Sequence, residues 1–219
     1  MLEQGAILMS FITSLTPLLE IEDIKKSQTV LERNCLSYAS MWLCYALWAI
    51  YGLVLGNLYP IALPNIWGVV ASSYYCAVFY QHVSSRMEKV RVGTTYGFTL
   101  ALAIIVLIYC KSEAHPREVV EGRIGFVASL VSVLMMASPL SLIPVVLENG
   151  THLLNFHLLV MYNITSAMWC VYGIVVKDNF VAVTNLIGGM ICFISLLLFA
   201  FIPPYYKTDF DLSWRNHRK

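Results

Sequence analysis

Charged residues are scarce in this sequence of 219 amino acids. Lys, Arg, Asp and Glu together make up 12% of it, whereas hydrophobic residues make up 58% and the mean hydropathy is +0.70. A soluble domain is nearer to about a quarter charged, so this chain has too little polar surface to stay in water. The composition predicts an integral membrane protein, and the net charge of +1 gives no indication of a nucleic-acid partner.

Sequence patterns of catalysis and metal binding are also missing. The six cysteines lie in or beside apolar runs without C-x-x-C spacing, which favours small buried side chains over disulfides or a metal site. The sequence has no nucleotide-binding motif, no Ser-His-Asp set and no cluster of metal ligands. We therefore expect no enzyme activity, no cofactor and no bound metal.

Seven apolar runs approach the ~20 residues that a helix needs to cross the hydrocarbon core of a bilayer. They are residues 5–20, 35–55, 59–82, 94–110, 123–146, 154–176 and 180–202. The first and fourth are short. The gaps before the third and seventh runs are so small that each of these runs must form a tight antiparallel hairpin with the run before it. The sequence thus predicts an all-α membrane protein with seven transmembrane helices.

Lys and Arg residues are unevenly distributed among the predicted loops. If the N-terminus is outside, ten of them face the cytosol and four face outward. Cytosolic loops of membrane proteins are enriched in these residues. We therefore expect an outside N-terminus and a cytosolic tail over residues 203–219. Separately, we expect the plasma membrane rather than an internal membrane.

A pattern of W-x-x-Y-G, a short polar break and then Asn occurs twice. Trp48 and Trp169 are 121 residues apart, whereas Asn65 and Asn185 are 120 apart, so the first copy gains one residue in its turn. One further helix separates the two sets of three helices. Because it returns the chain to the side of the membrane where the first set began, both sets enter the membrane from the same side, and the repeats are parallel. The predicted 3+1+3 architecture is a first repeat over 1–82, a linker with span 4 over 83–122, and a second repeat over 123–202.

The two tryptophans and two asparagines of this pattern fall at one predicted depth. With a rise of 1.5 Å per residue, each lies ~8–10 Å below the same membrane surface. An Asn amide both donates and accepts, as a sugar hydroxyl does. A Trp ring offers an apolar face to a pyranose while its N–H stays available. Alternatively, Asn65 and Asn185 hold helices together, and Trp48 and Trp169 belong to the core or the interfacial belt.

Asp, Glu, Lys and Arg are absent from the deep parts of the predicted spans, and His157 in span 6 lies near the cytosolic end of that span. Glu20 is placed at the end of the first span. Proton or ion coupling normally requires an ionisable group within the membrane, so a passive facilitator is favoured over a pump. Pro17 and Pro139 occupy equivalent places in the first span of each repeat, where each predicts a static kink or a hinge.

The second half of the sequence resembles the SWEET sugar transporters. The matching motifs are A-S-P-L, W-x-x-Y-G and K-D-N-F-V-A, all between Ala137 and Ala182, and the Asn185 region that follows. The first half matches more loosely, through the Thr-Pro pair at Pro17 and the Asn at Asn65. The resemblance implies bidirectional uniport of mono- or disaccharides by alternating access, and it is compatible with homo-oligomers.

The resemblance also implies a sugar-binding role for particular residues. The paired pocket asparagines of the family fall on Asn65 and Asn185, and its pocket tryptophan falls on Trp169. The equivalent position in the first half is usually smaller but is Trp48 here. This departure narrows the expected pocket and favours a hexose such as glucose.

The gate and hinge residues of the family match this sequence only in part. Its outer gate falls on Tyr51 and Asp178, and two members of its proline tetrad fall on Pro17 and Pro139. The two missing prolines fall near Ser37 and Asn155. Their absence indicates a divergent branch of the family.

Two other functions are compatible with this topology. A proton-coupled amino-acid exporter of the PQ-loop type would carry a Pro-Gln dipeptide and carboxylates within the membrane, and this sequence has neither. A non-transporting membrane receptor would need a charged cavity for its signal, and the sequence gives no indication of one.

Overall fold

Membrane-length helices make up almost all of the described chain. The computed structural model describes residues 2–30, 33–112, 114–137, 140, 143–151 and 154–203. Their helices are α1 (Leu2–Leu15), α2 (Leu18–Ser27), α3 (Cys35–Val54), α4 (Leu63–His82), α5 (Arg86–Lys111), α6 (Arg117–Met136), α7 (Ile143–Asn149), α8 (Phe156–Val176) and α9 (Asn179–Phe201). Seven segments are long and apolar enough to cross a membrane, taking α1 with α2 as one. The predicted all-α fold with seven spans is confirmed.

The first span is longer than predicted. The apolar run ends near residue 20, but the helical segment continues to Ser27. Its last part, α2, is amphipathic: Ile21 and Ile24 are buried against α3 and α4, while Lys25 and Lys26 are exposed. Because the charges of α2 lie mostly on its exposed face, they do not end the helix. Glu20 therefore lies within the helical segment, seven residues before its end.

A break at Pro17 separates α1 from α2. Pro17 is fully buried and has no N–H to donate to the Thr13 carbonyl, which instead accepts from the Thr16 N–H at 3.1 Å. Helical bonding resumes where the Ile21 N–H donates to the Pro17 carbonyl at 3.0 Å. The helical hydrogen bonding is thus interrupted at Pro17, and a kink or a hinge motion there stays a prediction. The equivalent Pro139 lies outside the described residues.

Two other spans differ from their predicted bounds. The fourth, α5, begins eight residues before the predicted 94–110 because Arg86, Lys89 and Arg91 are accommodated in its first turns. The fifth, α6, begins at Arg117 and ends at Met136, whereas the apolar run covers 123–146. The chain after it continues into the separate short helix α7, so the run contains two helices rather than one.

Each repeat is a bundle in which the third helix packs between the first two. In the first repeat α4 contacts both α1 and α3, and in the second α9 contacts both α6 and α8. The repeats meet crosswise, because α1 packs against α8 and α3 packs against α6. The linker helix α5 packs on α3 and α4 of the first repeat. The first helix of each repeat thus faces the second helix of the other.

The helical hairpins close through glycine at matching positions. A Cβ atom on Gly52 would lie 2.7 Å from the Ala62 nitrogen, and one on Gly173 would lie 2.5 Å from the Ala182 nitrogen. Both distances are too short for any other residue, so glycine is what lets the two backbones meet.

The extra residue of the first copy is found in its hairpin. Between α3 and α4 the chain makes a wide turn over Leu58–Ala62: the Ala62 N–H donates to the Asn57 carbonyl, five residues earlier, at 3.2 Å, and Tyr59 has non-helical angles of φ −127° and ψ 107°. In the second copy the Ala182 N–H donates to the Asp178 carbonyl, only four residues earlier, at 2.9 Å. This turn therefore accounts for the change of spacing from 121 to 120 residues, and it lets the repeated pattern regain its alignment in α4.

Candidate functional site

A cavity of about 100 Å³ lies between the two repeats. It is several times the ~10–15 Å³ that a single water molecule occupies by the same kind of measure. Its lining includes Trp48, Asn65, Trp169 and Asn185, so the structure brings together all four residues of the duplicated pattern. The other lining residues are Ser10, Thr13, Met41, Cys44, Tyr45, Ile61, Ser132, Met135, Met136, Tyr162, Thr165, Ser166, Val181 and Thr184.

The two asparagines have the same local geometry. The Nδ2 atom of Asn65 donates to the Ile61 carbonyl at 2.8 Å, and Nδ2 of Asn185 donates to the Val181 carbonyl at 2.8 Å. Each bond returns to a carbonyl four residues earlier, in the turn before α4 for Asn65 and within α9 for Asn185, so neither of these bonds joins two helices. An amide has two N–H donors and one oxygen acceptor. One donor and the acceptor of each Asn are therefore left for the cavity.

The two tryptophans exchange hydrogen bonds between the repeats. Nε1 of Trp48 donates to Oγ of Ser132 at 2.7 Å, and Nε1 of Trp169 donates to Oγ of Ser10 at 2.7 Å. The serines are 122 residues apart, on the first helix of each repeat. The indole N–H groups, which we expected to be available to a ligand, are thus already bonded. What each indole offers to the cavity is its apolar ring.

Each tryptophan is also held by a tyrosine one turn further along its helix. The ring centroids of Trp48 and Tyr51 are 5.4 Å apart with the planes at 87°, and those of Trp169 and Tyr172 are 5.3 Å apart at 81°. These edge-to-face contacts are a favourable geometry for aromatic pairs. They connect the cavity to the end of the bundle at which α3 is joined to α4 and α8 is joined to α9. We call this the hairpin end.

At the hairpin end, the two predicted gate residues are in contact. The Tyr51 hydroxyl donates to Oδ2 of Asp178 at 3.0 Å, which joins the repeats. The other oxygen of Asp178 accepts from the Val181 N–H at 3.1 Å and caps α9. At the equivalent place, Tyr172 lies beside Asn57. The hairpin end therefore has one charged and one neutral pair, and gating by the charged pair stays a prediction.

The opposite end holds contacts that the sequence did not lead us to expect. Thr13 and Thr165 lie across the two repeats with their hydroxyl oxygens 2.7 Å apart. One turn beyond Pro17, the Glu20 carboxylate accepts hydrogen bonds from the Tyr38 hydroxyl at 3.0 Å and from Nδ2 of Asn155. Polar side chains thus join the repeats at both ends of the cavity.

Ser10 and Ser132 are functional candidates that sequence reasoning missed. A single serine in an apolar helix is a weak signal, because its hydroxyl often bonds its own backbone. Both serines do so here, to the carbonyls of Ala6 and Ala128 at 3.0 and 2.8 Å. The signal that would have found them is the repeat itself, since the offset of 122 pairs the two positions.

The described residues contain no group of three or more His, Cys, Asp or Glu side chains that could hold a metal ion.

Two parallel three-helix repeats that enclose a cavity on their common axis form the architecture of a membrane transporter. In such proteins one repeat moves against the other around a central site.

Comparison with models of protein families identifies the family to which this chain belongs. A family model described as "Sugar efflux transporter for intercellular exchange" matches residues 1–86 and residues 122–207. The protein belongs to this family, which confirms the resemblance seen in the sequence. The family consists of transporters rather than enzymes.

Similar proteins cover most of the chain. "Bidirectional sugar transporter SWEET13" of Arabidopsis thaliana is 28% identical over 92% of this chain and 68% of its own length. "Sugar transporter SWEET1" of Dictyostelium discoideum is 24% identical, over 92% of this chain and 97% of its own. A solved structure of a eukaryotic SWEET transporter superposes with a TM-score of 0.78 at 23% identity, covering 91% of this chain and 96% of that one. The last similarity supports the fold.

Replacing Ser132 by Ala is expected to destabilise the protein, because it leaves the Trp48 indole N–H buried without a partner. The expected loss is about 1–3 kcal/mol of unfolding free energy. Ser129→Ala, on the same helix, is the matched control, since the Ser129 hydroxyl is buried without a hydrogen-bond partner. Thermal unfolding of the purified protein in detergent should show a lower midpoint for Ser132→Ala and an unchanged or higher one for Ser129→Ala. Equal midpoints would contradict the Trp48–Ser132 bond.

Proposed function

We propose that the protein carries sugars across a membrane in both directions by facilitated diffusion, and that the cavity between the repeats binds the sugar. The observation that carries this proposal is the pair of amides and the pair of indoles at equivalent positions around one cavity. Membership of a sugar transporter family supports the same substrate class.

The chemistry of the lining suits a neutral polyol. Asn65 and Asn185 each keep a donor and an acceptor for hydroxyl groups, and the Trp rings offer apolar faces to the C–H side of a sugar ring. Among the described lining side chains there is no Asp, Glu, Lys or Arg. A charged substrate would therefore lose its hydration without gaining a counter-charge.

The uncharged lining of the site supports transport in both directions. Because the described lining side chains include no Asp, Glu, Lys or Arg that could couple transport to an ion, the direction of net transport would follow the sugar gradient. We propose that the repeats, over residues 1–82 and 123–202, rock against each other. In this mechanism Tyr51 and Asp178 gate the hairpin end, and Pro17 and Pro139 act as hinges.

The preferred substrate is proposed to be a hexose such as glucose. The cavity is small, and the Trp48 ring is held in it by the bond to Ser132 and the edge contact with Tyr51. A disaccharide would need the space that this fixed ring occupies.

Replacing Trp48 by Ala should therefore shift preference towards the larger sugar. We expect the ratio of sucrose to glucose uptake to rise by roughly tenfold, because removal of one steric obstacle is worth about 1.4 kcal/mol or more. Radiolabelled uptake into a transport-deficient host measures both sugars. An unchanged ratio would show that Trp48 does not set the size limit.

Replacing Asn185 by Ala is expected to reduce glucose uptake by roughly tenfold or more, because the sugar loses hydrogen bonds worth about 1–3 kcal/mol. Asn163→Ala is the matched control: Asn163 lies in α8, donates to the Gly189 carbonyl at 2.8 Å, and is not part of the cavity lining. Uptake is measured at equal surface expression, with and without a protonophore.

Four results of this assay are informative. Loss of uptake in Asn185→Ala but not in Asn163→Ala supports the site. Wild-type uptake that is insensitive to the protonophore supports facilitated diffusion, whereas uptake that collapses would require a proton-coupled mechanism. Equal loss in both variants would place the effect of Asn185 in folding rather than in binding.

The hairpin end is proposed to face outward at the plasma membrane, with the C-terminus in the cytosol, on the basis of the Lys and Arg distribution. An antibody against a C-terminal epitope tag should then stain cells only after permeabilisation. Staining of intact cells would reverse the orientation.

A further inference from the structure

A carboxylate connects the two repeats at the end of the bundle opposite the hairpins. Glu20 belongs to the first repeat, on α2, and accepts a hydrogen bond from Asn155 of the second repeat. Its other oxygen accepts from the Tyr38 hydroxyl, on α3 of the first repeat. Tyr38 is buried and packs on Phe79 at a centroid distance of 5.4 Å, so this side of the contact is fixed. The carboxylate is thus held by one repeat and presented to the other.

The orientation of Asn155 is fixed as well. Its Oδ1 accepts from the Leu158 N–H at 3.0 Å and caps the N-terminus of α8. Since the oxygen is used by the cap, the NH₂ group must point away from the helix, and it donates to Glu20. A hydrogen bond to a charged acceptor is stronger than a neutral one, and it gains further strength where water is scarce.

The contact has no counterpart related by the internal repeat. Asn34 is equivalent to Asn155 by the offset of 121 and also caps its helix, α3, accepting from the Leu36 N–H, two residues on, at 3.0 Å. The position equivalent to Glu20 by the offset of 122 is Leu142, which has no acceptor in its side chain. The sequence therefore allows this charged bond in one copy of the repeat and forbids it in the other.

We propose that Glu20 and Asn155 form a latch that holds this end of the transporter closed and sets the balance between its two access states. The proposal rests on the proposed function, in which the repeats separate at one end and then at the other. A bond between residues on different repeats must break whenever they separate at that point. Glu20 and Asn155 are positioning residues: they act on the opening equilibrium and do not line the cavity.

Cys44 is a native reporter of this opening. It lines the cavity on α3, six residues beyond Tyr38, which is ~9 Å along the helix from the latch. A charged, membrane-impermeant methanethiosulfonate reagent that is added on the latch side reaches Cys44 only when that end is open. The full-length protein is labelled in vesicles that expose the latch side, and modification of the Cys44 peptide is quantified over time by mass spectrometry.

Asn155→Ala and Glu20→Ala are each expected to speed the labelling of Cys44 from the latch side by roughly tenfold, since each removes a charge-assisted hydrogen bond. The double variant should be no faster than Glu20→Ala, because either single variant already removes the bond between Glu20 and Asn155. Glu20→Gln, which keeps an acceptor oxygen, should fall between wild type and Glu20→Ala. Asn34→Ala is the matched control: it loses an equivalent helix cap but no contact with Glu20, and its labelling rate should equal that of wild type.

The latch is overturned if Asn155→Ala labels no faster than Asn34→Ala, or if the two single effects add in the double variant. Because the effect of losing a cap is present in both Asn variants, faster labelling in Asn155→Ala alone is not a consequence of a weakened helix. Labelling requires no sugar, so its outcome is separable from that of the uptake assay. Faster labelling without any glucose uptake would support the latch and contradict glucose as the substrate. Normal glucose uptake with unchanged labelling would support the substrate and contradict the latch.

Discussion

The lipid core of a bilayer offers no water to a polar side chain, and this constraint determines how the two repeats meet. Each indole N–H at the cavity finds its acceptor on the other repeat, in a bond of 2.7 Å to a serine. Each serine hydroxyl in turn donates a hydrogen bond to a backbone carbonyl of its own helix. Neither repeat contains the acceptor its indole uses, so the cavity wall is complete only when the two are assembled.

The cavity and its two ends differ in how closely the equivalent positions of the two repeats match. Around the cavity the repeated Asn, Trp and Ser residues have the same geometry in both repeats, although other lining positions differ, such as Thr13 against Met135 and Cys44 against Thr165. At the ends the equivalent positions differ: Asp178 corresponds to Asn57, and Glu20 corresponds to Leu142. The single charges lie where the repeats are joined by hydrogen bonds, away from the place where a neutral solute would bind.

The sequence predicted the fold to the level of spans and repeats, because apolar runs and a repeated W-x-x-Y-G pattern are local signals. It misjudged the ends of spans where charges lie on one exposed face of a helix, as in α2, since a hydropathy window averages over all faces. The extra residue of the first copy was visible as a change of offset, but only the structure shows that it widens the turn Leu58–Ala62.

For the candidate site, the sequence identified the residues with distinctive chemistry and missed their partners. Asn and Trp are unusual within a membrane span and so stand out, whereas Ser10 and Ser132 resemble the many other serines of the chain. Long-range pairs such as Glu20 with Asn155 depend on how α2 and α8 converge. That convergence is a product of packing and leaves no local pattern in either segment.

The crosswise exchange of indole and serine has a consequence for how such a chain could arise. A free three-helix unit that pairs with an identical copy across a two-fold axis would form both Trp–Ser bonds at once, because a two-fold interface repeats each contact. In that ancestral dimer every substitution would appear on both sides. Fusion of the copies through α5 removes this restriction, and differences such as Asp178 against Asn57 become possible. The unlike ends of this chain are of the kind that covalent linkage permits, whereas the Asn, Trp and Ser pairs at its centre are alike in both halves.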